Sequence, residues 1–318
     1  IMDNFKRAQA IILVGVPLIF ESIYKKLTKS IKKSGKEKLV KSAIKINKAL
    51  SLLGQDKSRT LFKDIHEAFG GHLRLIMCGG ASLDPGVAEG LTNFGFSLLR
   101  GYGLTETAPL IAATPDFDKQ RNKKFKSVGA VIPSGKLKIE NPDENGIGEI
   151  FYKGDNVMQG YYNMPEETAE VLSEDGWFRT GDIGWLDDEK YLYLCGRAKN
   201  LIVTSGGKNV YPEEIENAFQ MYYNDIEQIT ARGYHPENDL TSEEIEALIY
   251  PADELYKTLN LKRGTPTGDS AVYKRIETIV ETVNKELLPY QRITKTTLLD
   301  KPLEMTTTKK VKRYNKAE

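Results

Sequence analysis

The chain has 318 residues, of which 40% are hydrophobic and 28% charged, enough apolar material for a sizeable core and about two domains. A formal net charge of +1 gives no global drive toward nucleic acid, and none is expected as a partner. Cys78 and Cys195 each sit in an apolar strand-like run and read as buried reduced thiols, while His66, His72 and His235 lack metal-ligand spacing.

Lys6 and Arg7 precede an apolar run, Ala8 to Phe20, which resembles a leader peptide only superficially. Asp3 and Glu21 flank it, and it falls short of the roughly 20 residues that a membrane span needs. Residue 1 is Ile, as expected of a chain that starts inside a longer protein. The stretch Ala10 to Phe20 predicts a buried strand ended by Pro17, in a sheet covered on both faces.

Ser22 to Leu53 has helical spacing at Ile23, Leu27 and Ile31, then at Leu39, Ala43 and Ile46, which predicts two amphipathic helices broken near Gly35. The segment 25–48 carries ten lysines (25, 26, 29, 32, 33, 36, 38, 41, 45 and 48) against Glu37 as its only acid. That face is either simply solvated, or it meets anionic lipid headgroups or steers an anionic substrate. Leu73 to Cys78 and Phe96 to Leu99 read as strands, with a helix from Pro85 through Leu91 between them, capped by Asp84. Two such strand–helix units in series predict a parallel α/β layer whose ligand crevice lies at the carboxyl ends of the strands.

From Ser127 to Leu194 the texture becomes short strands (KLKIE, GEIFYKG, YLYLCG) separated by turn residues, as in a small antiparallel barrel or sandwich. Beyond Arg197, Asn200 to Val203 reads as a strand and Pro212 to Phe219 as a helix. The acidic segment 243–254 reads as an insertion or surface, Lys274 to Leu287 as a helix, and Thr306 to Lys316 as a polar, basic, loop-like tail.

Several motifs carry possible chemistry, each open to a plainer reading alone. Gly79-Gly80 after a strand lets a ligand ring approach the backbone or simply makes a tight turn. Thr105-Glu106 fits a helix start, and TTTKKVKR fits a basic tail. TSGGK at 204–208 is no Walker loop, because the glycine required upstream is absent. Taken in order, GGASL at 79–83, GYGLTE at 101–106, GWFRTGD at 176–182, GRAKNLIVTSGGKNVYPEEIE at 196–216 and TTTKKVKR at 306–313 resemble the later motifs of the adenylate-forming (AMP-binding) superfamily. The wording is most similar to its long-chain acyl-CoA synthetases, from about residue 10 to the end.

The resemblance implies an α/β plus α+β fold. Residues 1–198 would be the later part of a large AMP-binding domain (an α/β layer to about 118, a small β-barrel over about 119–198), and 199–318 a small C-terminal lid. It implies ATP-dependent activation of a fatty acid to an acyl-adenylate, then thioester formation with CoA, with Mg²⁺ as the metal. Gly79, Gly80 and Ala81 would wall the adenine pocket beside Gly103, and Tyr102 would stack on the base, unless it is a packed strand-end aromatic. Thr105 would bond the α-phosphate and Glu106 would hold Mg²⁺. Asp182 would take the ribose hydroxyls and Arg197 assist at the ribose or phosphate, where the plainer reading is a surface turn aspartate and an ordinary ion pair. Lys199 would be the hinge, Gly206 and Gly207 the passage for the pantetheine arm, and Lys310 the catalytic lysine, with Lys309 adjacent to it.

The family's earlier Ser/Thr/Gly-rich phosphate loop ending in Pro-Lys-Gly is not found among the 318 residues. The chain is therefore expected to be the later part of such an enzyme, cytoplasmic and peripheral at the inner membrane face. The alternatives are an acyl- or aryl-acid activating enzyme that loads a carrier protein, and a non-catalytic nucleotide-binding fragment.

Overall fold

The computed structural model describes residues 2–115, 124–236, 243–305 and 311–313. The chain divides into two compact units, residues 1–180 with 184–194, and residues 181–183 with 195–318.

The first unit opens with helix α1 (Met2–Ala8), strand β1 (Ile12–Gly15) and helices α2 (Pro17–Lys33) and α3 (Glu37–Leu52). Short helices α4 (Ser58–Leu61) and α5 (Lys63–Ala68) lead into β2 (Leu75–Cys78), α6 (Pro85–Asn93) and β3 (Ser97–Tyr102). Strands β1, β2 and β3 pair in parallel, in the registers Gly15–Cys78 and Cys78–Arg100. Phe20, Phe69, Phe96 and Leu91 are buried together beneath this layer. Asp84 caps α6 by accepting the Val87 amide at 2.8 Å.

The expectation for the first strand needs correction. β1 is four residues long, lies at the sheet edge and leaves Val14 71% exposed. Pro17 does not end the strand; it opens α2, the position where its missing amide costs nothing. Phe20 and Ile23 then serve the core from a helix, so the apolar run is shared between two elements. The two lysine-rich helices form as expected, parted at Gly35 with φ +68°.

The sheet continues through β4 (Ala112–Ala113) and β5 (Gly129–Val131), then β6 (Gly135–Glu140) and β7 (Gly148–Gly154). Helix α7 (Pro165–Val171) precedes β8 (Phe178–Leu186) and β9 (Tyr191–Arg197). The nine strands run in the order β1-β2-β3-β4-β5-β9-β8-β7-β6. The α/β class is therefore as expected, but the antiparallel strands form no closed barrel among the described residues. They extend the parallel layer, with β6 at the far edge. Alternation of period two is the same in an open sheet and a barrel, so the pattern does not separate them.

The second unit starts with the hairpin β10 (Ile202–Val203) and β11 (Asn209–Val210), followed by α8 (Pro212–Ala218). A three-stranded sheet, β12 (Ile226–Tyr234), β13 (Glu244–Pro251) and, after α9 (Asp253–Leu259) and α10 (Pro266–Glu286), β14 (Ile293–Leu298), holds β13 in the centre. Val272, Ile276, Ile279 and Val283 of α10 recur at helical spacing and pack in one core with Ile245, Ala247 and Ile249.

The acidic stretch expected at the surface is instead this central strand. Glu246 is 1% exposed and bonded to Arg232 Nη2 at 2.7 Å, Lys295 Nζ at 3.1 Å and Thr297 Oγ1 at 2.6 Å. Burial alone would raise its carboxyl, but these three donors outweigh it and hold the group below its ordinary range. Both flanking strands supply the countercharge, so composition misreads the segment.

Glu21, on α2, lies near the capping Asp84; burial first, and that carboxylate second, push its own carboxyl up to about 7. The folded state thus keeps a proton that the unfolded chain releases near 4.5, so stability falls as pH rises between those values. Glu21→Gln mimics the protonated form, and its advantage in Tm over the parent is expected to widen by about 2–4 °C from pH 5 to pH 8. Thermal unfolding followed by circular dichroism tests this; a gap that stays constant refutes it.

Candidate functional site

Within the first unit, the pairing of β2 with β3 brings two of the predicted loops side by side. Gly79 follows Cys78 directly and its amide donates to the Gly15 carbonyl at 3.2 Å. A side chain at Gly79 would lie 3.8 Å from the Gly101 carbonyl oxygen, so the strand ends are close neighbours. Gly80 (φ +85°) and Ala81 are exposed beyond them. Gly103 has no room for any side chain, because a Cβ there would overlap the Pro109 carbonyl. That glycine is required by close approach.

Tyr102 is 7% exposed and packs with Ile111, Ala112, Ile150, Tyr152 and Leu192. Its register opposite Ala112 turns the ring into the core, the plainer of the two sequence readings. Thr105, exposed, and Glu106, half-buried, follow in a 3₁₀ turn, Thr105–Thr107. Thr107 closes this turn: its Oγ1 accepts the Leu104 amide at 3.1 Å. Tyr161, which sequence reading passed over, donates its hydroxyl to Glu106 Oε1 at 2.9 Å. Burial, then this hydrogen bond, raise the phenol, so it stays a donor. Met158 reinforces the contact by donating its amide to the Glu106 carbonyl at 2.7 Å. The only signal for Tyr161 was an aromatic pair after Gly160, which spacing cannot link to a residue 55 positions earlier.

Asn156 is the other residue missed. Its amide nitrogen donates to the carbonyls of Leu110, at 2.8 Å, and Thr107, and its oxygen accepts from Tyr152. It ties the turn after GYGLTE to β7.

Within the second unit, Asp182 is 8% exposed and its Oδ1 meets Arg197 Nε at 2.7 Å. The two predicted site residues are thus joined to each other, with Gly181 of β8 in the left-handed region (φ +70°) beside the guanidinium. Lys199 is exposed in the 3₁₀ turn Ala198–Asn200, where Asn200 Nδ2 donates to Glu213 Oε1 at 2.5 Å. Gly206 and Gly207 form the exposed tip between β10 and β11, closed by the Gly207 amide donating to the Thr204 carbonyl at 2.8 Å. Gly207, at φ +68°, needs glycine for its backbone; Gly206 has open space around it. Lys309 and Lys310 lie outside the described residues.

One carboxylate, Glu106, faces the turn at the end of β3, and no group of three or more His, Cys, Asp or Glu that could hold a metal occurs among the described residues. This donor set fits a hard cation that takes most of its shell from phosphate and water, not a protein-only metal cage.

The model of the AMP-binding enzyme family matches residues 1–162. The peroxisomal long chain acyl-CoA synthetase 7 of Arabidopsis thaliana is 34% identical over 236 residues, 69% of this chain and 33% of that protein. A chloroplastic long-chain-fatty-acid–[acyl-carrier-protein] ligase of the same plant is 29% identical, over 98% of this chain and 49% of its own. Among solved structures, the o-succinylbenzoate CoA synthetase of Bacillus subtilis in complex with its acyl-adenylate intermediate superposes with TM-score 0.61 at 25% identity, over 80% of this chain and 48% of that one. ATP-bound MatB from Rhodopseudomonas palustris shares the fold, with TM-score 0.63 at 23% identity over 98% of this chain and 50% of that chain. The chain thus spans about a third to a half of the length of the curated relatives it matches. On its family match and on the ordered motifs at the ends of β2 and β3, this chain belongs to the AMP-binding enzyme family.

Proposed function

We propose that the chain is the later part of an AMP-forming acid–thiol ligase that activates a long-chain fatty acid with ATP and transfers it to CoA. The observation that carries the reading is the pairing of the glycine loop after β2 with the Thr105–Glu106 turn after β3. Long-chain ligases among its relatives support the substrate class.

The roles follow from the groups present. Gly79, Gly80, Ala81 and Gly103 offer backbone without side chains, or nearly so, against a flat base. Tyr102, packed in the core, serves as the rigid aromatic wall at that strand end. Thr105 donates a hydroxyl hydrogen bond to the α-phosphate. Tyr161 aims the Glu106 carboxylate, which with phosphate oxygens would hold Mg²⁺; bound there, the ion would neutralise phosphate charge. Asp182 accepts hydrogen bonds from the ribose hydroxyls and Arg197 fixes its orientation. In the first half-reaction the fatty carboxylate attacks the α-phosphorus and pyrophosphate leaves. Lys310 offsets the repulsion between these anions. After a turn of the backbone at Lys199, the CoA thiol attacks the acyl carbonyl and AMP departs, with Gly206 and Gly207 bordering the pantetheine arm.

A second acceptor is kept for one reason: the relative aligned over 98% of this chain loads an acyl carrier protein. Full-length protein that consumes a holo-carrier faster than CoA would decide for it.

Peripheral membrane contact has its own support. Leu39, Ile46 and Leu53 are exposed along one side of α3 and its cap, at 66%, 55% and 77%, beside the lysines of the 25–48 segment. An apolar stripe flanked by lysines suits an anionic bilayer surface. On this reading the protein is cytoplasmic and peripheral at the inner membrane face. No helix among the described residues is long and apolar enough to cross a membrane.

Three measurements test these assignments. Calorimetry on this chain should show AMP binding that Asp182→Ala weakens by about 2–3 kcal/mol, the loss of charged hydrogen bonds; unchanged affinity removes the ribose role. In the full-length protein, Lys310→Ala should cost adenylation about 3–4 kcal/mol, as loss of one preorganised charge does, while thioester formation from supplied acyl-adenylate survives. Equal loss of both steps would sink that role. Flotation with vesicles rich in phosphatidylserine should carry the chain at low salt and release it at high salt; no flotation at low salt leaves α2 and α3 as solvated faces.

A further inference from the structure

A second concave surface lies in the first unit, at the edge of the sheet farthest from β1. The hairpin of β6 and β7 floors it, the last turn of α7 walls it and the start of β8 closes it, around an open cavity of about 330 Å³. That size is at the lower end of the range for small-molecule sites. None of the groups placed at the ends of β2 and β3 lines it.

Its charges are arranged in a way that the hairpin alone does not favour. Glu140 and Glu149 stand directly opposite each other in the β6–β7 register, a pairing of like charges that destabilises a sheet. Each is met by a cation: Lys138 Nζ lies 2.6 Å from Glu140 Oε2, and Arg179 Nε 2.8 Å from Glu149 Oε1. Glu170, exposed on α7, adds a third carboxylate; Glu149 first, and Glu170 after it, hold the Arg179 guanidinium above its ordinary range. The lining acids thus outnumber the cations that meet them, three to two. Among the described residues no three acids converge closely enough to hold a metal ion, so these carboxylates are spread too widely for a metal shell.

The walls between the acids are apolar and aromatic. Lys138 Nζ lies 4.9 Å from the ring centre of Trp177 and 5.2 Å from that of Phe151, so one ammonium already rests over both rings while it bonds Glu140. Trp177 is held there by a tight turn: its amide donates to Ser173 Oγ at 3.0 Å and its carbonyl accepts the Ser173 amide at 2.9 Å. Ala169, Val171 and Leu172 supply aliphatic surface at the end of α7. Lys138 thereby shows what chemistry the cavity accepts: an ammonium over aromatic rings, beside a carboxylate, on a chain of methylenes.

We propose that this cavity is a binding site for a linear aliphatic polyamine. One ammonium of the ligand competes with Lys138 for Glu140 and the Trp177 ring, another meets Glu170, and the methylenes between them lie along Val171 and Leu172. A metal ion would make no use of the rings, and an anion would meet three carboxylates. The proposal goes beyond the ligase reading and does not depend on it.

Spermidine titrated into this chain, followed by the Trp177 indole resonance in a heteronuclear NMR spectrum, tests the site. Trp185, stacked on Tyr193 at 4.2 Å and outside the cavity lining, is the internal control. Saturable movement of the Trp177 resonance alone is expected, with Kd below about 1 mM, the strength of a few exposed charged contacts and one ring face. Hexanediol, which keeps the methylenes without the charges, should move neither resonance. Glu170→Gln should weaken binding about fivefold. Trp177→Leu, read by calorimetry, should weaken it by about the same factor. Lys138→Met removes the resident ammonium and should tighten binding about fivefold, a gain that misfolding does not produce. An equal shift from magnesium chloride at matched ionic strength marks simple screening and overturns the proposal. So does spermidine binding that is absent, or that none of the three substitutions changes.

Discussion

The parallel pairing of β2 with β3 is the constraint on which the first unit depends. In parallel register Cys78, the last residue of β2, lies opposite Arg100, two residues before the end of β3. Two separate loops then leave neighbouring strands, one opened by two glycines and one bearing a hydroxyl and a carboxylate. Core packing beneath the layer, with Leu98 on β3, Phe96 just before it and Ile76 on β2, holds that register. A slip of one residue would exchange core and solvent faces and separate the loops.

Support for the site comes from later in the chain. Glu106 is aimed by Tyr161, and Asn156 donates to the Thr107 and Leu110 carbonyls of the turn behind it. These contacts reach about fifty residues along the chain, across the antiparallel extension of the sheet. The extension therefore does more than cover an edge. It supplies the hydrogen bonds that orient a carboxylate, the kind of support that fixes a functional group to a fraction of an ångström.

In the second unit the recurring device is a buried acid met by cations from neighbouring elements. Glu246 joins the three strands of the small sheet through Arg232, Lys295 and Thr297. Glu216 and Glu213 do the same for α8, β12 and the stretch 311–313 through Arg313. Removing one partner of such a group leaves an uncompensated charge, so these networks bind geometry tightly even where their net stabilisation is small.

The sequence by itself determined the family, the α/β and α+β classes and the two lysine-rich helices. Each was legible because it rests on local features: helical spacing, glycine after a strand, or a motif of fixed wording. Tertiary structure alone decided the rest. It turned Tyr102 into the core, made Pro17 a helix start, opened the expected barrel into one sheet, and put the acidic 244–251 segment at the centre of another. It also assigned Tyr161, Asn156, Glu213 and Arg313 their partners. The physical reason is common to all of these. Burial, register and countercharge depend on residues tens of positions away, and neither period nor composition carries that information.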